Sequence, residues 1–202
     1  EIGSGAITSF TQEQALAGAG GTASFTARAM NGTSFVDFPS NYYVNSTNAL
    51  SQIHDNIVDY DSFALKLASH NVNSVPVIVS YEFQNPQIVT KYRLWSRASG
   101  GDRRDEMAGD WELRAAVSKS DYENGTYVTL DSISGIVTTD WIQPGYNASG
   151  PSEYANNNFN IGKEYNLSTI GAYKYYVLYI TSNCGDGTYL GIGEWALYGG
   201  GF

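Results

Sequence analysis

Charged residues are concentrated in one short run, Asp102-Arg103-Arg104-Asp105-Glu106. A glycosidase needs a pair of carboxylates at a fixed separation across a cleft, and a run of mixed charge is more typical of a solvated loop between two strands. We therefore predict a loop here and no enzymatic activity. The adjacent Arg103 and Arg104 offer planar donors, and the carboxylates beside them accept hydrogen bonds from hydroxyl groups. Such a loop is suited to binding the vicinal hydroxyls of a sugar.

A second group of oxygen-bearing side chains consists of Asp55, Asn56, Asp59, Asp61 and Ser62. Oxygen-rich loops of this kind suit Ca²⁺, which takes about six to eight hard oxygen ligands. The group is not an EF-hand, because the glycine and the final glutamate of that loop are missing. Two interpretations stay open at this point: a calcium-binding loop, and a cluster that caps helices and closes turns.

Charge and missing motifs exclude several classes of function. The 202 residues include 11 basic and 20 acidic ones, which gives a net charge of −9 and a pI near 4.5, so we expect no nucleic-acid partner. No apolar run approaches the roughly 18 residues of a membrane helix, so we expect no membrane insertion. Residues 18–23 match G-x-G-x-x-A but lack the strand and helix of a dinucleotide site. Cys184 is the single cysteine and we expect it to be a buried thiol.

The composition predicts an all-β chain, because 22 glycines and 16 tyrosines lie among short apolar runs and polar turns. Residues 76–83 and 88–97 read as two strands, and the turn-forming residues 84–87 predict that they form a hairpin. Residues 173–181 are apolar on both faces, which predicts a central strand covered on both sides. Further strands are predicted at 111–117, 127–130 and 190–198.

Helices are predicted only as short connections, at 47–54 and 61–68. Residues 1–25 are rich in Gly, Ala, Ser and Gln, and we expect them to form an N-terminal arm, linker or edge strand. Residues 26–202 are then one β-sandwich domain. Five N-glycosylation sequons favour an extracellular protein, at Asn31, Asn45, Asn124, Asn147 and Asn166.

Several stretches between residues 75 and 199 occur in the order found in a known family. They are VIVSYEF at 77–83, IVTKYRL at 88–94, DWEL at 110–113, YVTLD at 127–131, YKYYVLYIT at 173–181 and GIGEWALYG at 191–199. In this order the segment resembles the discoidin or coagulation factor 5/8 type C family, the galactose-binding-like fold that includes carbohydrate-binding modules and virion proteins. The resemblance implies a jelly-roll β-sandwich of about eight antiparallel strands. Because the animal members usually have a disulfide that one cysteine cannot form, it points to the viral or microbial branch.

The resemblance also implies a structural calcium ion, held by an early loop and a glutamate of the last strand. Asp55 falls near the loop aspartate, Asp61 or Ser62 near a later oxygen ligand, and Glu194 on the final-strand glutamate. The loop departs from the family because it lacks the usual Asp-Gly pair.

In such modules the ligand lies on loops at one end of the sandwich. A pyranose has an apolar face that stacks on an aromatic ring and a rim of hydroxyls that needs polar partners. The candidates for ligand binding are Tyr43, His54, Arg103, Arg104, Trp141, Tyr146 and Tyr154. We predict a non-catalytic, extracellular module that binds glycans or glycoprotein surfaces in adhesion, in the setting of a viral or phage fibre or a surface assembly. The alternative is a structural module that self-associates in a capsid, fibre or filament without binding sugar.

Overall fold

The computed structural model describes residues 15–17, 24–31, 34–36, 63–66, 72, 76–96, 102–142 and 162–199. The strands in these ranges are β1 (Ser24–Asn31), β2 (Ser34–Val36), β3 (Phe63–Lys66), β4 (Val77–Ile88), β5 (Lys91–Trp95), β6 (Ala108–Ala116), β7 (Val128–Ile133), β8 (Lys163–Asn166), β9 (Ala172–Asn183), β10 (Tyr189–Ile192) and β11 (Glu194–Tyr198). One α-helix, α1 (Lys119–Asn124), and two 3-10 turns, Arg104–Glu106 and Thr138–Asp140, complete the described elements. Of the helices in these ranges, none has the length and hydrophobicity needed to cross a membrane.

The strands form two layers in which every pairing is antiparallel. One layer is a six-stranded sheet with the order β2-β1-β4-β9-β6-β7. The other layer contains the three strands β11-β5-β8 and the pair β10-β3, and only Gly193 separates β10 from β11. The predicted all-β sandwich is therefore confirmed.

The core lies between the two layers and follows the alternation of the strands. Inward side chains of β4, β6 and β9 pack against inward side chains of β5 and β11. The buried residues of this core include Val77, Val79, Tyr81, Tyr92, Leu94, Trp111, Leu113, Tyr176, Leu178, Ile180, Trp195 and Leu197. The Tyr81 ring lies 4.5 Å from the Trp195 ring, and the Tyr81 hydroxyl donates to the Trp195 carbonyl at 2.6 Å. The two layers are thus joined by aromatic contact and by hydrogen bonding.

The predicted hairpin of residues 76–97 is wrong, because β4 and β5 belong to different layers. A register shift between Glu82 and Gln87 absorbs the expected turn, and β4 continues to Ile88. The chain then crosses to the second layer at residues 89 and 90. The Tyr176 hydroxyl holds this crossover, since it donates to the Gln87 carbonyl at 2.7 Å and accepts from the Val89 amide at 3.2 Å.

The prediction of a central strand at residues 173–181 is confirmed, because β9 lies between β4 and β6. On the face of β9 away from the core, Tyr175 stacks on Tyr122 of α1 with ring centroids 4.8 Å apart. The sequence analysis missed α1. The Ser118 side chain caps it by accepting from the Asp121 amide at 3.1 Å, and Gly125 ends it with a φ of 69°.

The predicted helix at residues 61–68 is also wrong, because Phe63–Lys66 is the strand β3. Leu65 of β3 pairs with Leu190 of β10, and pairing to an available sheet outweighs a weak local preference for helix. The other predicted helix, at 47–54, lies outside the described residues. Within the segment assigned to the N-terminal arm, Ala17 is buried and forms a bridge with Leu197 of β11.

Candidate functional site

Three connecting segments meet at one end of the sandwich, which we call the loop end. They are residues 102–107, 134–142 and 184–188, which precede β6, follow β7 and follow β9. Backbone hydrogen bonds join them: the Cys184 amide donates to the Met107 carbonyl at 2.8 Å and the Asp186 amide to the Asp105 carbonyl at 3.1 Å. Gly109 permits this close approach, because a Cβ there would lie 2.6 Å from the Asn183 carbonyl oxygen. The loop end is therefore a hydrogen-bonded unit built on the sheet.

Arg104 connects two stretches that the sequence analysis considered separately. Its Nε and Nη2 donate to Oδ1 and Oδ2 of Asp102 at 2.9 and 2.7 Å, and its Nη1 donates to the Trp141 carbonyl at 3.3 Å. The hydrogen bonds from Arg104 hold the pKa of the Asp102 carboxyl below its ordinary value. The guanidinium is thus occupied within the protein, and its role is to hold residues 102–104 against Trp141.

Arg103 lies on the solvent side of the same turn. Its side chain is 41% exposed, and its Nη1 lies 3.3 Å from Oε1 of Glu106, which is fully buried. Charged residues are rarely buried without a partner, so this pair explains how Glu106 is accommodated. Of the two predicted arginines, Arg103 is the one that presents more of its side chain to solvent.

Trp141 is placed differently from what the sequence analysis expected. Its side chain is 2% exposed and belongs to the core, with its ring 5.9 Å from the Trp111 ring. A sugar cannot stack on a ring that is covered in this way. Its Nε1 faces the thiol of Cys184 without a hydrogen bond of normal geometry. Trp141 therefore supports the loop end from below and offers no face to a ligand.

A hydrogen-bonded aromatic network lies beneath Trp141, and the sequence analysis did not foresee it. The Trp111 Nε1 donates to the Tyr92 hydroxyl at 3.0 Å, which donates to Oδ2 of Asp131 at 2.8 Å. Tyr165 stacks on Tyr92 with ring centroids 4.9 Å apart. Burial raises the pKa of both tyrosines, so both stay protonated at neutral pH. Because it spans both layers, this network fixes the base of the loop end.

The single cysteine lies within the loop end. Burial raises the pKa of the Cys184 thiol to about 11, so the thiolate is not populated at neutral pH. The sulfur makes two weak contacts of 3.5 Å with the carbonyls of Ala108 and Ile136. These properties are those of a packing residue and not of a nucleophile.

Three further carboxylates lie at the loop end, of which only Asp105 belonged to the charged run noted in the sequence. Oδ2 of Asp140 accepts from the Val137 amide at 2.9 Å, and Oδ1 of Asp186 accepts from the amides of Thr188 and Tyr189, both at 2.6 Å. Among the described residues, none of these three carboxylates has an ion-pair partner. Asp140 and Asp186 carried no sequence signal beyond their positions in polar turns.

Glu194 is the predicted metal ligand that falls within the described residues. It is fully buried at the start of β11, where it pairs with Trp95 of β5. In the described ranges, no group of three or more His, Cys, Asp or Glu side chains is arranged to hold a metal ion. The other predicted metal ligands, Asp55, Asp61 and Ser62, lie outside the described residues, as do the predicted ligand-binding residues Tyr43, His54, Tyr146 and Tyr154.

Comparison with known proteins identifies the fold. No family model and no curated protein matches the sequence. Among solved structures, chitosan-binding module 1 of a chitosanase/glucanase from Paenibacillus sp. IK-5 matches with a TM-score of 0.54 at 13% identity, covering 93% of this chain and all of the module. GH31 CBM32-2 bound to GalNAc matches with a TM-score of 0.54 at 14% identity over 89% of this chain and 99% of the other.

A third match is the family 32 carbohydrate-binding module of Streptococcus pneumoniae EndoD. Its TM-score is 0.52 at 14% identity, and the match covers 87% of this chain and 96% of that module. Together with the antiparallel layers described above, these matches show that the chain has the galactose-binding-like β-sandwich fold of the family 32 carbohydrate-binding modules.

Proposed function

We propose that this protein is a non-catalytic carbohydrate-binding module and that the loop end contributes to its glycan site. The observation that carries the proposal is the fold, which this chain shares over most of its length with a chitosan-binding module and a module bound to GalNAc. The chemistry of the loop-end residues agrees, because glycan recognition needs planar donors and carboxylate acceptors at the edge of a rigid frame.

Arg103 is the side chain of the described loop end best suited to contact a sugar. It is 41% exposed, and its base is fixed by Glu106 and by the turn that contains both residues. A guanidinium held in this way donates to two neighbouring hydroxyls with little loss of conformational entropy. We further propose that Tyr43, His54, Tyr146 and Tyr154 complete the site with aromatic faces and polar groups.

We propose that the module also binds a structural calcium ion. Glu194 fits this role because its carboxylate lies fully buried at the start of β11, and carboxylate oxygens are ligands that Ca²⁺ prefers. Asp55, Asp61 and Ser62 would provide the remaining side-chain oxygens. The ion would stabilise the folded state because it binds only that state, and the stabilisation would grow with the logarithm of its concentration once the site is nearly saturated.

The setting that we propose is extracellular, as an adhesion module of a larger protein or of a viral or phage fibre. Support comes from the sequons and from the glycan ligands of the matched modules. Self-association through tyrosine-rich faces has less support, because Tyr81, Tyr92, Tyr175 and Tyr176 are already buried within the chain. Size measurement at micromolar concentration tests this point, and a stable oligomer that binds no glycan would contradict the proposal.

The glycan site is tested with Arg103→Lys, which keeps the positive charge beside Glu106 but removes the planar donors. On a glycan array we expect binding at least about tenfold weaker than that of the original protein, with an unchanged melting temperature. Lys119→Arg is the matched control, because Lys119 is 73% exposed on α1 at the other end of the sandwich. Equal binding by all three proteins would remove Arg103 from the site, and binding of no glycan by the original protein would refute the proposed function.

Calcium is tested by measuring the melting temperature with and without a chelator. We expect the original protein to lose stability when the ion is removed. Glu194→Gln should melt at a lower temperature and respond less to the chelator, whereas Glu123→Gln on α1 should respond like the original protein. An unchanged melting temperature of the original protein in the chelator would refute the calcium site.

A further inference from the structure

A group of polar side chains lies on the outer face of the six-stranded sheet, on the side away from the core. Leu113 of β6 belongs to the core, so its neighbours Glu112 and Arg114 point to the opposite face. The register pairs Glu112 with Tyr179 of β9 and Arg114 with Thr129 of β7. Directly paired residues share a face of an antiparallel sheet. We call Glu112, Arg114, Thr129 and Tyr179 the sheet-face cluster.

The contacts of the sheet-face cluster converge on the guanidinium of Arg114. Its Nε donates to Oε2 of Glu112 at 2.6 Å, and its Cζ lies 3.5 Å from the centroid of the Tyr179 ring. The Thr129 hydroxyl donates to the same Oε2 at 3.2 Å. The Tyr127 ring centroid lies 6.0 Å from the Cζ of Arg114. A guanidinium that rests on an aromatic ring and is bonded to a carboxylate has a fixed plane.

Part of the hydrogen-bonding capacity of the cluster is unused. Among the described residues, Nη1 and Nη2 of Arg114, Oε1 of Glu112 and the hydroxyl of Tyr179 have no hydrogen-bond partner. The side chains of Arg114 and Glu112 are 23% and 31% exposed, so solvent reaches both. The cluster therefore presents oriented donors and an acceptor side by side, on a pair of residues whose charges cancel.

Arg93, on the outer face of the other layer, shows that this arrangement does not arise wherever an arginine meets a glutamate and a tyrosine. Its Cζ lies 5.3 Å from the Tyr198 ring centroid, and its Nε and Nη2 donate to Oε2 of Glu164 at 2.8 and 2.6 Å. Lys91 lies 3.4 Å from the same oxygen. Glu164 thus engages a terminal nitrogen of Arg93, whereas both terminal nitrogens of Arg114 remain available to a ligand.

We propose that the sheet-face cluster is a second glycan site, which binds an uncharged sugar through two adjacent hydroxyl groups. One hydroxyl accepts from the terminal nitrogens of Arg114, and its neighbour donates to Oε1 of Glu112, since each hydroxyl is both a donor and an acceptor. A neutral ligand suits the cluster better than an anion, because the Arg114 charge is offset by Glu112 and the whole chain has a net charge of −9.

The sheet-face cluster is well separated from the loop end. Arg114 is six residues after Ala108, the first residue of β6, which corresponds to about 20 Å at about 3.3 Å per residue. A module with both sites holds two chains of a glycan surface at once, so it binds the surface more tightly than it binds a free sugar. This inference goes beyond the proposed loop-end site, and either site can exist without the other.

The first experiment measures the chemical shifts of backbone amides by NMR while a sugar is added. The probes are the methyl glycosides of galactose, glucose and mannose, together with the 3,4-O-isopropylidene acetal of methyl galactoside, which has no two adjacent free hydroxyls. We expect at least one of the three glycosides to shift the amides of Glu112, Arg114 and Tyr179, and the acetal to leave them unchanged. If none of the three glycosides shifts these amides, or if the acetal does so equally, the proposed site is refuted.

The second experiment repeats the titration with variants. Arg114→Lys keeps the positive charge beside Glu112 but removes the planar donors, so binding at the cluster should become about tenfold weaker. Arg93→Lys is the matched control and should bind like the original protein. If Arg114→Lys lowers the melting temperature, Glu112→Gln tests the same site, because it replaces the charged acceptor with a neutral one and should also weaken binding. Arg103→Lys, at the loop end, should leave the response of the cluster unchanged.

The outcomes separate the second site from the proposed function. Equal sugar binding by the Arg114, Glu112 and Arg93 variants overturns the sheet-face site. Shifts at the cluster that follow protein concentration without sugar would identify a contact between two copies of the chain, which also overturns it. If only the amides of the loop end respond to sugar, the proposed function stands and this inference fails. If only the cluster responds, this inference stands and the loop-end site fails.

Discussion

The two ends of the sandwich use charged residues in contrasting ways. At the loop end, Arg104 is held by two oxygens of Asp102 and by a backbone carbonyl, and its side chain is 23% exposed. At the end that carries α1, Lys119 lies 3.6 Å from Glu123 with its side chain 73% exposed. The first pair fixes the conformation of a turn, while the second contributes mainly to the hydration of the surface. The two ends therefore differ in how far charged side chains determine the local backbone conformation.

The largest effect should come from Trp141, the ring beneath the loop end. Trp141→Ala should destabilise the protein by about 3–5 kcal/mol, because it empties a buried site next to Trp111. Ile142→Ala is the control, since the neighbouring Ile142 side chain is 52% exposed and its loss should cost less than about 0.5 kcal/mol. Urea denaturation measures both. Equal small losses would show that Trp141 is not part of the core.

The next effect should come from the hydroxyl of Tyr92. Tyr92→Phe removes the acceptor of the Trp111 Nε1 and the donor to Oδ2 of Asp131, so we expect a loss of about 1–3 kcal/mol. Tyr127→Phe near α1 also removes one hydroxyl, which donates to the Tyr122 carbonyl at 2.9 Å from a half-buried position. It should cost about 1 kcal/mol or less. If the Tyr127 variant is the less stable one, the loop end is not the more tightly connected region.

A smaller effect is expected for Arg104→Gln. Arg104 lowers the pKa of the Asp102 carboxyl through its hydrogen bonds. The pair therefore stabilises the folded protein fully at pH values above the ordinary pKa of an aspartate, and this stabilisation is lost as the pH falls through the lowered pKa. The variant should melt at a lower temperature than the original protein at pH 7, and the two should converge in acid. Lys119→Gln should change the melting temperature less at every pH. If the melting temperatures of all three proteins changed with pH in the same way, the ion pair at the loop end would be no more stabilising than the pair on α1.

The smallest effect should appear only in alkali. Burial raises the pKa of the Cys184 thiol to about 11, whereas the pKa of an ordinary thiol is near 8.5. The thiol therefore contributes its full stabilisation at pH values below about 8.5, and this contribution is lost as the pH rises towards about 11. The difference in unfolding free energy between the original protein and Cys184→Ala should therefore decrease over this interval. In labelling at pH 7, Cys184 should react slowly and the exposed control Ser120→Cys quickly. Rapid labelling of Cys184 in the folded protein would contradict the partial burial of its thiol.

The alternation of apolar and polar residues predicted most of the strands, because a strand with one face in the core has an apolar residue at every second position of its sequence. The central position of β9 followed from its two apolar faces. The pairing of β4 with β5 did not follow, because a turn-forming sequence at residues 84–87 cannot reveal that the Tyr176 hydroxyl holds the chain in a crossover. Likewise β3 owes its extended form to pairing with β10, which no local pattern encodes.

The structure of the candidate site was less predictable than the fold. The charged run at residues 102–106 lies within the loop end, but sequence could not show which arginine is occupied internally. Asp140 and Asp186 join Asp105 only through the folding of three distant segments. Trp141 was predicted to bind the ligand because tryptophan rings stack on sugars. The same apolar ring surface is equally suited to burial in the core, which is where Trp141 lies. Ser118 and Asp121, with Gly125 after them, were the signal that could have identified α1.

Gly109 has one further consequence. Its missing side chain lets β6 approach the last residues of β9, and any larger residue would collide with the Asn183 carbonyl. A substitution such as Gly109→Val would move the 184–188 segment away from the sheet without touching a single charged group. The affinity for a ligand bound at this end would then depend on Gly109, which the ligand does not contact. Evolutionary selection for binding would therefore constrain Gly109 as strongly as the surface residues that contact the ligand.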